Sequence, residues 1–107
     1  MDSMKEQRTN SKRVKEIARF YFFCNRHLKF MKCVSDSQKS ETDYQAYVTK
    51  VQKAYNKLDS LEQVFINNDF FYQAYPGWWT KFYTRATYYR IRKRSVDRFL
   101  EAFENEF

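Results

Sequence analysis

Residues 84–100 read TRATYYRIRKRSVDRFL, from Thr84 to Leu100. Turned at about 100° per residue, the segment puts Tyr88, Tyr89, Val96, Phe99, Leu100 and, just beyond it, Phe103 on one side, with Lys93 and Ser95 at the edges. Thr87, Arg90, Arg94 and Arg98 fall on the other side. Two-sided spacing of this kind predicts a helix, and Thr84 stands where an N-cap residue would accept a hydrogen bond from the first turn. Three positions do not fit. Ile91 lies among the basic residues, Arg92 points toward the apolar side and has to snorkel out or meet an acid, and Arg85 shares that side in the first turn, where it can overhang the core.

The charge on this segment is unusually one-sided. Between Lys81 and Phe99 there are seven Lys or Arg and one acid, Asp97, whereas a solvated helix face normally mixes its signs. From Arg85 to Arg98 arginine outnumbers lysine five to one, and in the rest of the chain lysine leads ten to four. Arginine makes the forked contacts to phosphate and guanine that lysine cannot. A capped N-terminus with free N–H groups also favours phosphate.

The chain has 107 residues and a net charge of +7, so it holds a single core and leans toward polyanionic partners. With 43% hydrophobic and 21% aromatic residues it is not a disordered polyelectrolyte. One Gly and one Pro leave too little turn punctuation for a fold of many hairpins. The predicted class is all-α. Two basic blocks, residues 1–33 and 81–99, flank a mildly acidic middle and precede an acidic end.

Upstream, Val14, Ile17, Tyr21, Cys24, Leu28 and Met31 recur at steps of three and four, which predicts a helix over Lys12 to Val34 behind a frayed, polar stretch 1–11. Phe20, Phe23 and Phe30 widen its stripe, which either packs within the domain or holds a homodimer. Ser35 to Asp43 reads as a loop. Thr42 with Gln45 forms a capping box for a second helix carrying Tyr44, Val48, Val51, Tyr55 and Leu58, antiparallel to the first. Asp59 with Glu62 caps a third, which carries Leu61, Val64, Phe65 and Phe70 or Phe71 and ends or bends at Asn67, Asn68 and Asp69. Pro76 suits a helix's first position, so PGWWTKF reads as a short fourth helix. Trp78 and Trp79 then serve either as core anchors or as a stacking platform. Residues 1–57 are thus expected as a helical pair for packing or dimerisation and 58–107 as a helix-turn-helix, the two forming one compact domain.

Thr84 to Leu100 resembles the recognition helix of region four of bacterial sigma factors, and its YYR and Arg/Lys runs are similar to those of phage regulators of the ArpU type. Leu58 to Ile66, LDSLEQVFI, is similar to the helix that opens the sigma domain. The stretch NNDFFYQAYPGWW and the helical N-terminal extension also resemble a small uncharacterised protein family of mollicutes. The sigma resemblance spans about two-fifths of the chain. It implies a helix-turn-helix in which Arg85, Ala86, Thr87 and Arg90 face bases or backbone and Thr84 lies near a phosphate. Ala86 replaces a glutamate common there, and Trp79 a small residue. Residues 1–57 match no other sigma region.

The functional expectation is a protein of transcription regulation that binds duplex DNA. Arg90, Thr87 and Arg85 would read bases, and Lys81, Lys93, Arg94 and Arg98 would meet phosphates. Lys5, Arg8, Lys12, Arg13 and Lys15 could add a second backbone contact. RNA is the second choice of partner, favoured by exposed Tyr or Trp. A protein adaptor on RNA polymerase is the third, favoured if the basic residues pair with acids. A single histidine, His27, and no glycine loop or carboxylate pair speak against an enzyme, a cofactor or a metal. Cys24 and Cys33 lie on opposite faces of one helix about 13 Å apart, so free thiols in a reducing cytoplasm are expected. No apolar run predicts a membrane span or leader.

Overall fold

A computed structural model describes residues 2–31 and 38–105, with side chains described for 8–30 and 43–105. The described residues form four α-helices and one π-helical turn, without a strand. The helices are α1 (Asp2–Met31), α2 (Gln38–Asn56), α3 (Ser60–Ile66) and α4 (Arg85–Glu104), with π1 (Asn67–Phe71) continuing α3. The all-α expectation is met. At about 1.5 Å per residue α1 alone is about 45 Å long, and it sets the 51 Å length of the molecule.

α1 begins well before Lys12, so the stretch expected to fray is helical. Lys5, Glu6, Gln7 and Arg8 are good helix formers, and the next turn is fastened to α4: Asn10 donates to Asp97 at 3.3 Å and Ser11 accepts from Arg92 at 2.9 Å. The predicted end at Val34, and Cys33 with it, lie outside the described residues. α2 likewise starts early. Thr42 is inside the helix and is not its cap, because Gln38, Lys39 and Glu41 propagate a helix and no Gly or Pro stops it.

α1 and α2 run antiparallel, as predicted. Cys24 and Leu28 meet Val48, while Val14, ten residues earlier, meets Val51 and Ala54. The central core joins Val14, Val51, Ala54 and Leu58 to Ile66, Phe70, Val96, Phe99 and Leu100. The widening phenylalanines do not enter it. Phe20, Phe23 and Phe30 are 42%, 44% and 64% exposed and form an aromatic row along the outside of α1, with Phe20 and Phe23 stacked at 5.8 Å.

The Asp59–Glu62 capping box is present in full. α3 does not end at Asn67 but widens into π1, closed by Tyr72 N–H to Asn67 O at 2.8 Å. The wider turn lets both phenylalanines face inward. Phe70 is buried, and Phe71 lies edge-on to Tyr21 at 5.6 Å and to Phe99 at 5.9 Å.

The short helix expected at Pro76 is absent. Gly77 has φ +78°, outside the right-handed helical region, and residues 75–83 follow a chain of turns instead. Its bonds run from Trp78 N–H to Tyr75 O, Thr80 N–H to Gly77 O and Phe82 N–H to Trp79 O, at 2.9–3.2 Å. α4 then starts where predicted, with Thr84 Oγ1 accepting from Thr87 N–H at 3.2 Å. It packs on α1, α2 and α3 and is the centre of the fold. The misfit Ile91 is buried with Phe65, Trp78 and Tyr88, because α3 and the turn segment cover that side of α4 as well.

Candidate nucleic-acid interface

The cations of α4 divide by what they meet. Arg94 Nε and Arg98 Nη1 both donate to Glu62 Oε2, at 3.1 and 3.2 Å. Glu62 is fully buried, and its other oxygen accepts from Asp59 N–H at 3.0 Å. Arg92 resolves its misfit by meeting an acid, donating to Asp69 at 2.9 Å and to Ser11. Lys93 pairs with Asp97 at 3.0 Å one turn on, with both side chains substantially exposed. Such a pair contributes only about 0.3–0.5 kcal/mol and yields readily to a competing phosphate.

Lys81, Arg85 and Arg90 are left. All three are exposed and have no acidic partner among the described residues. Lys81 precedes the helix by a few residues, Arg85 is its first residue, and Arg90 lies one and a half turns in. Thr84 and Thr87 stand between them, the Thr84 hydroxyl donating to Thr87 Oγ1 at 3.0 Å. That leaves the Thr87 hydroxyl hydrogen for an outside acceptor. Of the eight residues expected at the interface, then, Lys81, Thr84, Arg85, Thr87 and Arg90 gather at the start of α4. Lys93 is exchangeable, and Arg94 and Arg98 are held by Glu62.

The exposed face of α4 changes sign along its length. Arg90 and Lys93 occupy its first half, and Asp97, Glu101 and Glu104 its second, where the one exposed cation, Arg98, is held by Glu62. α1 extends the basic half. It runs in the same direction as α4, with Ser11 beside Arg92 and Arg13 paired to Glu104. Arg8, one turn before Ser11, therefore comes level with the turn of α4 that holds Tyr89. A small crevice separates Ser11 from Tyr89 and Lys93.

The aromatics near this end divide too. Trp79 stacks on Tyr88 at 4.3 Å and 11°, Phe65 covers Tyr88 from another side at 5.7 Å, and Trp78 is buried with its Nε1 on Asp69 at 2.8 Å. The tryptophans are core anchors. Phe82 and Tyr89 stand out, 72% and 51% exposed. Tyr89 was expected on the apolar side and lies at its margin.

Asp69 also accepts the Tyr88 hydroxyl, at 2.5 Å. Burial, and then this hydrogen bond, push the Tyr88 phenol well above its ordinary pKa. Sequence reasoning missed Asp69 and took Glu62 for a cap alone. The one available signal was the misfit Ile91, an apolar residue bordered by Arg94 and Arg98, an i, i+4 pair, which marks that side of the helix as meeting a neighbouring element.

Among the described residues no three His, Cys, Asp or Glu side chains stand together as a metal site, and no helix is long and apolar enough to cross a membrane. Cys24 is buried, and burial raises its thiol pKa. No protein-family model matches the chain, and no curated protein or solved structure matches it either.

Proposed function

We propose that this is a nucleic-acid-binding protein of the cytoplasm that holds duplex DNA against the first turns of α4 and acts in transcription. One observation carries the reading: Lys81, Arg85 and Arg90 are exposed and have no acidic partner among the described residues, at one end of a helix whose other cations are each paired with an acid. An exposed arginine and an unsatisfied hydroxyl on the first turns suit insertion into a major groove. Arg90 and Thr87 would read base edges, and Lys81, Arg85 and Lys93 would meet phosphate. Arg94 and Arg98 would raise the local potential without touching DNA. The sigma-like reading of α4, and with it contact to RNA polymerase, belongs to the same proposal.

Single-stranded RNA is the second reading, and the exposure of Phe82 and Tyr89 beside these cations favours it, since unstacked bases lie on aromatic faces.

Fluorescence anisotropy with labelled duplex DNA and single-stranded RNA of equal length, at two salt concentrations, tests both. Duplex preference lost in Arg85→Ala/Arg90→Ala supports the first reading. RNA preference lost in Phe82→Ala/Tyr89→Ala supports the second. Absence of binding to either overturns both and leaves a protein adaptor, a role that the internally paired arginines would suit.

A further inference from the structure

A second concave surface shares no residue with the start of α4. It is an open cleft of about 400 Å³ where α1, α2 and π1 meet, within the range of small-molecule sites. Tyr21, Tyr55, Phe71 and Tyr72 give it aromatic walls, and Gln52, Asn56 and Asn67 place amides among them. None of its lining residues is charged. In a chain this rich in Lys and Arg, such a cleft offers no fixed charge to a phosphate or carboxylate and leaves recognition to stacking and hydrogen bonds.

The hydrogen bonds within the cleft leave a defined set of groups for a visitor. Asn67 Nδ2 donates to Tyr55 Oη at 2.5 Å, and Gln52 Nε2 donates to Tyr21 Oη at 3.5 Å. Both phenol oxygens are thus used as acceptors, and both O–H groups remain to donate. The amide oxygens of Asn67 and Gln52, and the whole amide of Asn56, have no partner among the described residues. Donors and acceptors therefore sit side by side between flat rings. Tyr72 stands at the mouth, 71% exposed, with its edge held by Phe22 at 5.8 Å.

π1 makes this arrangement. In an α-helix Asn67 and Tyr72, five residues apart, would diverge, whereas the π turn closed from Tyr72 N–H to Asn67 O brings them into line with Phe71. Such turns recur at functional sites.

We infer that the cleft binds a neutral nucleobase, with adenine the best match. A base offers two stacking faces and, on adenine, an amino donor beside a ring-nitrogen acceptor, the pair that Asn and Gln amides recognise. The base can arrive as a free nucleoside or within a single strand. The inference does not depend on the α4 interface.

The test is an NMR titration of the full-length protein with adenosine, with a short single-stranded oligoadenylate, and with indole as a flat apolar control. Adenosine is expected to shift the side-chain amide signals of Gln52, Asn56 and Asn67 and the ring signals of Tyr55 and Tyr72, with Kd about 1 mM or tighter. Indole should bind at least about tenfold more weakly, a gap of one or two hydrogen bonds. A tighter oligonucleotide at the same signals identifies a base within a strand, and equal affinity identifies the nucleoside.

Gln52→Leu/Asn56→Leu, at two exposed positions, should weaken adenosine about tenfold by removing its polar partners, and Arg85→Ala/Arg90→Ala should leave it unchanged. No cleft shift up to about 10 mM adenosine, equal binding of indole, or full binding by the Leu variant overturns the inference.

Discussion

Arg92 on α4 and Asp69 on π1 meet at 2.9 Å with little exposure on either side, and through them four parts of the chain are joined. Asp69 also accepts from Trp78 of the turn segment and Tyr88 of α4, and Arg92 reaches Ser11 on α1 while lying over the Phe70 ring. Asp69→Ala strands a largely buried guanidinium and two polar aromatic groups. A loss of about 3–5 kcal/mol is expected, as when one partner of a buried pair is removed. Tyr88→Phe removes a single hydrogen bond and should cost about 1 kcal/mol. Urea denaturation measures both, and equal losses would show that Asp69 is not a hub.

Glu62 couples stability to charge. Glu62→Gln keeps an acceptor for the α3 cap but removes the counter-charge of Arg94 and Arg98. We expect a loss of about 2–4 kcal/mol together with tighter, less selective polyanion binding. If both arginines then reach phosphates, the salt dependence of log K should steepen by up to about 1.8, or 0.9 for each phosphate contacted. An unchanged slope in a folded Glu62→Gln protein would mean that the arginines stay where they are.

Alkaline pH should expose the buried phenols. Burial, with a smaller push from Cys24, raises Tyr47 from an ordinary 10.0 to about 12, and Tyr88 moves in the same direction. The folded protein thus holds these protons more tightly than the unfolded chain. Their stabilising contribution is complete below about pH 10 and is lost as pH rises through the folded values. The urea midpoint should decline from about pH 10 upward, and Tyr47→Phe should make the decline shallower. An identical profile in that variant would assign the decline to other groups.

Gly77 tests the turn segment. A Cβ there would meet only Thr80 Cγ2, at 3.6 Å, so space is not the difficulty. Its φ of +78° is the difficulty, and Gly77→Ala should cost about 1–2 kcal/mol. If thermal unfolding shows no loss, the segment can relax toward the short helix that Pro76 suggests.

What could be read in the sequence is what is local. The Thr84 cap, the Asp59–Glu62 box and the stripes of α1 and α2 each lie within a few residues, and each was legible. Pro76 suits a helix start because its fixed φ permits one, but Gly77 beside it permits the opposite turn, and packing of Trp78 onto Asp69 decides between them. The π turn was hidden because a period of 3.6 has no place for one wider turn. At the candidate interface, helical spacing told which cations leave the core but not which acids another element brings to meet them. Arg90 and Arg94 therefore look alike in sequence, and only Arg94 finds Glu62.

The reversal of charge along α4 sets the helix against its own backbone. The peptide dipoles leave positive potential at the start of a helix and negative potential at its end, so acids are favoured first and bases last, by about 0.3–1 kcal/mol each. α4 has no acid in its first turn and no base in its last, and it puts Arg85 first and Glu101 and Glu104 in the last turn. The free protein therefore carries an internal repulsion at the start of its central helix, and an anion seated there would relieve it. Occupancy and folding are thereby linked: a polyanion at this end should raise the melting temperature of the whole domain, since α4 touches every other helix.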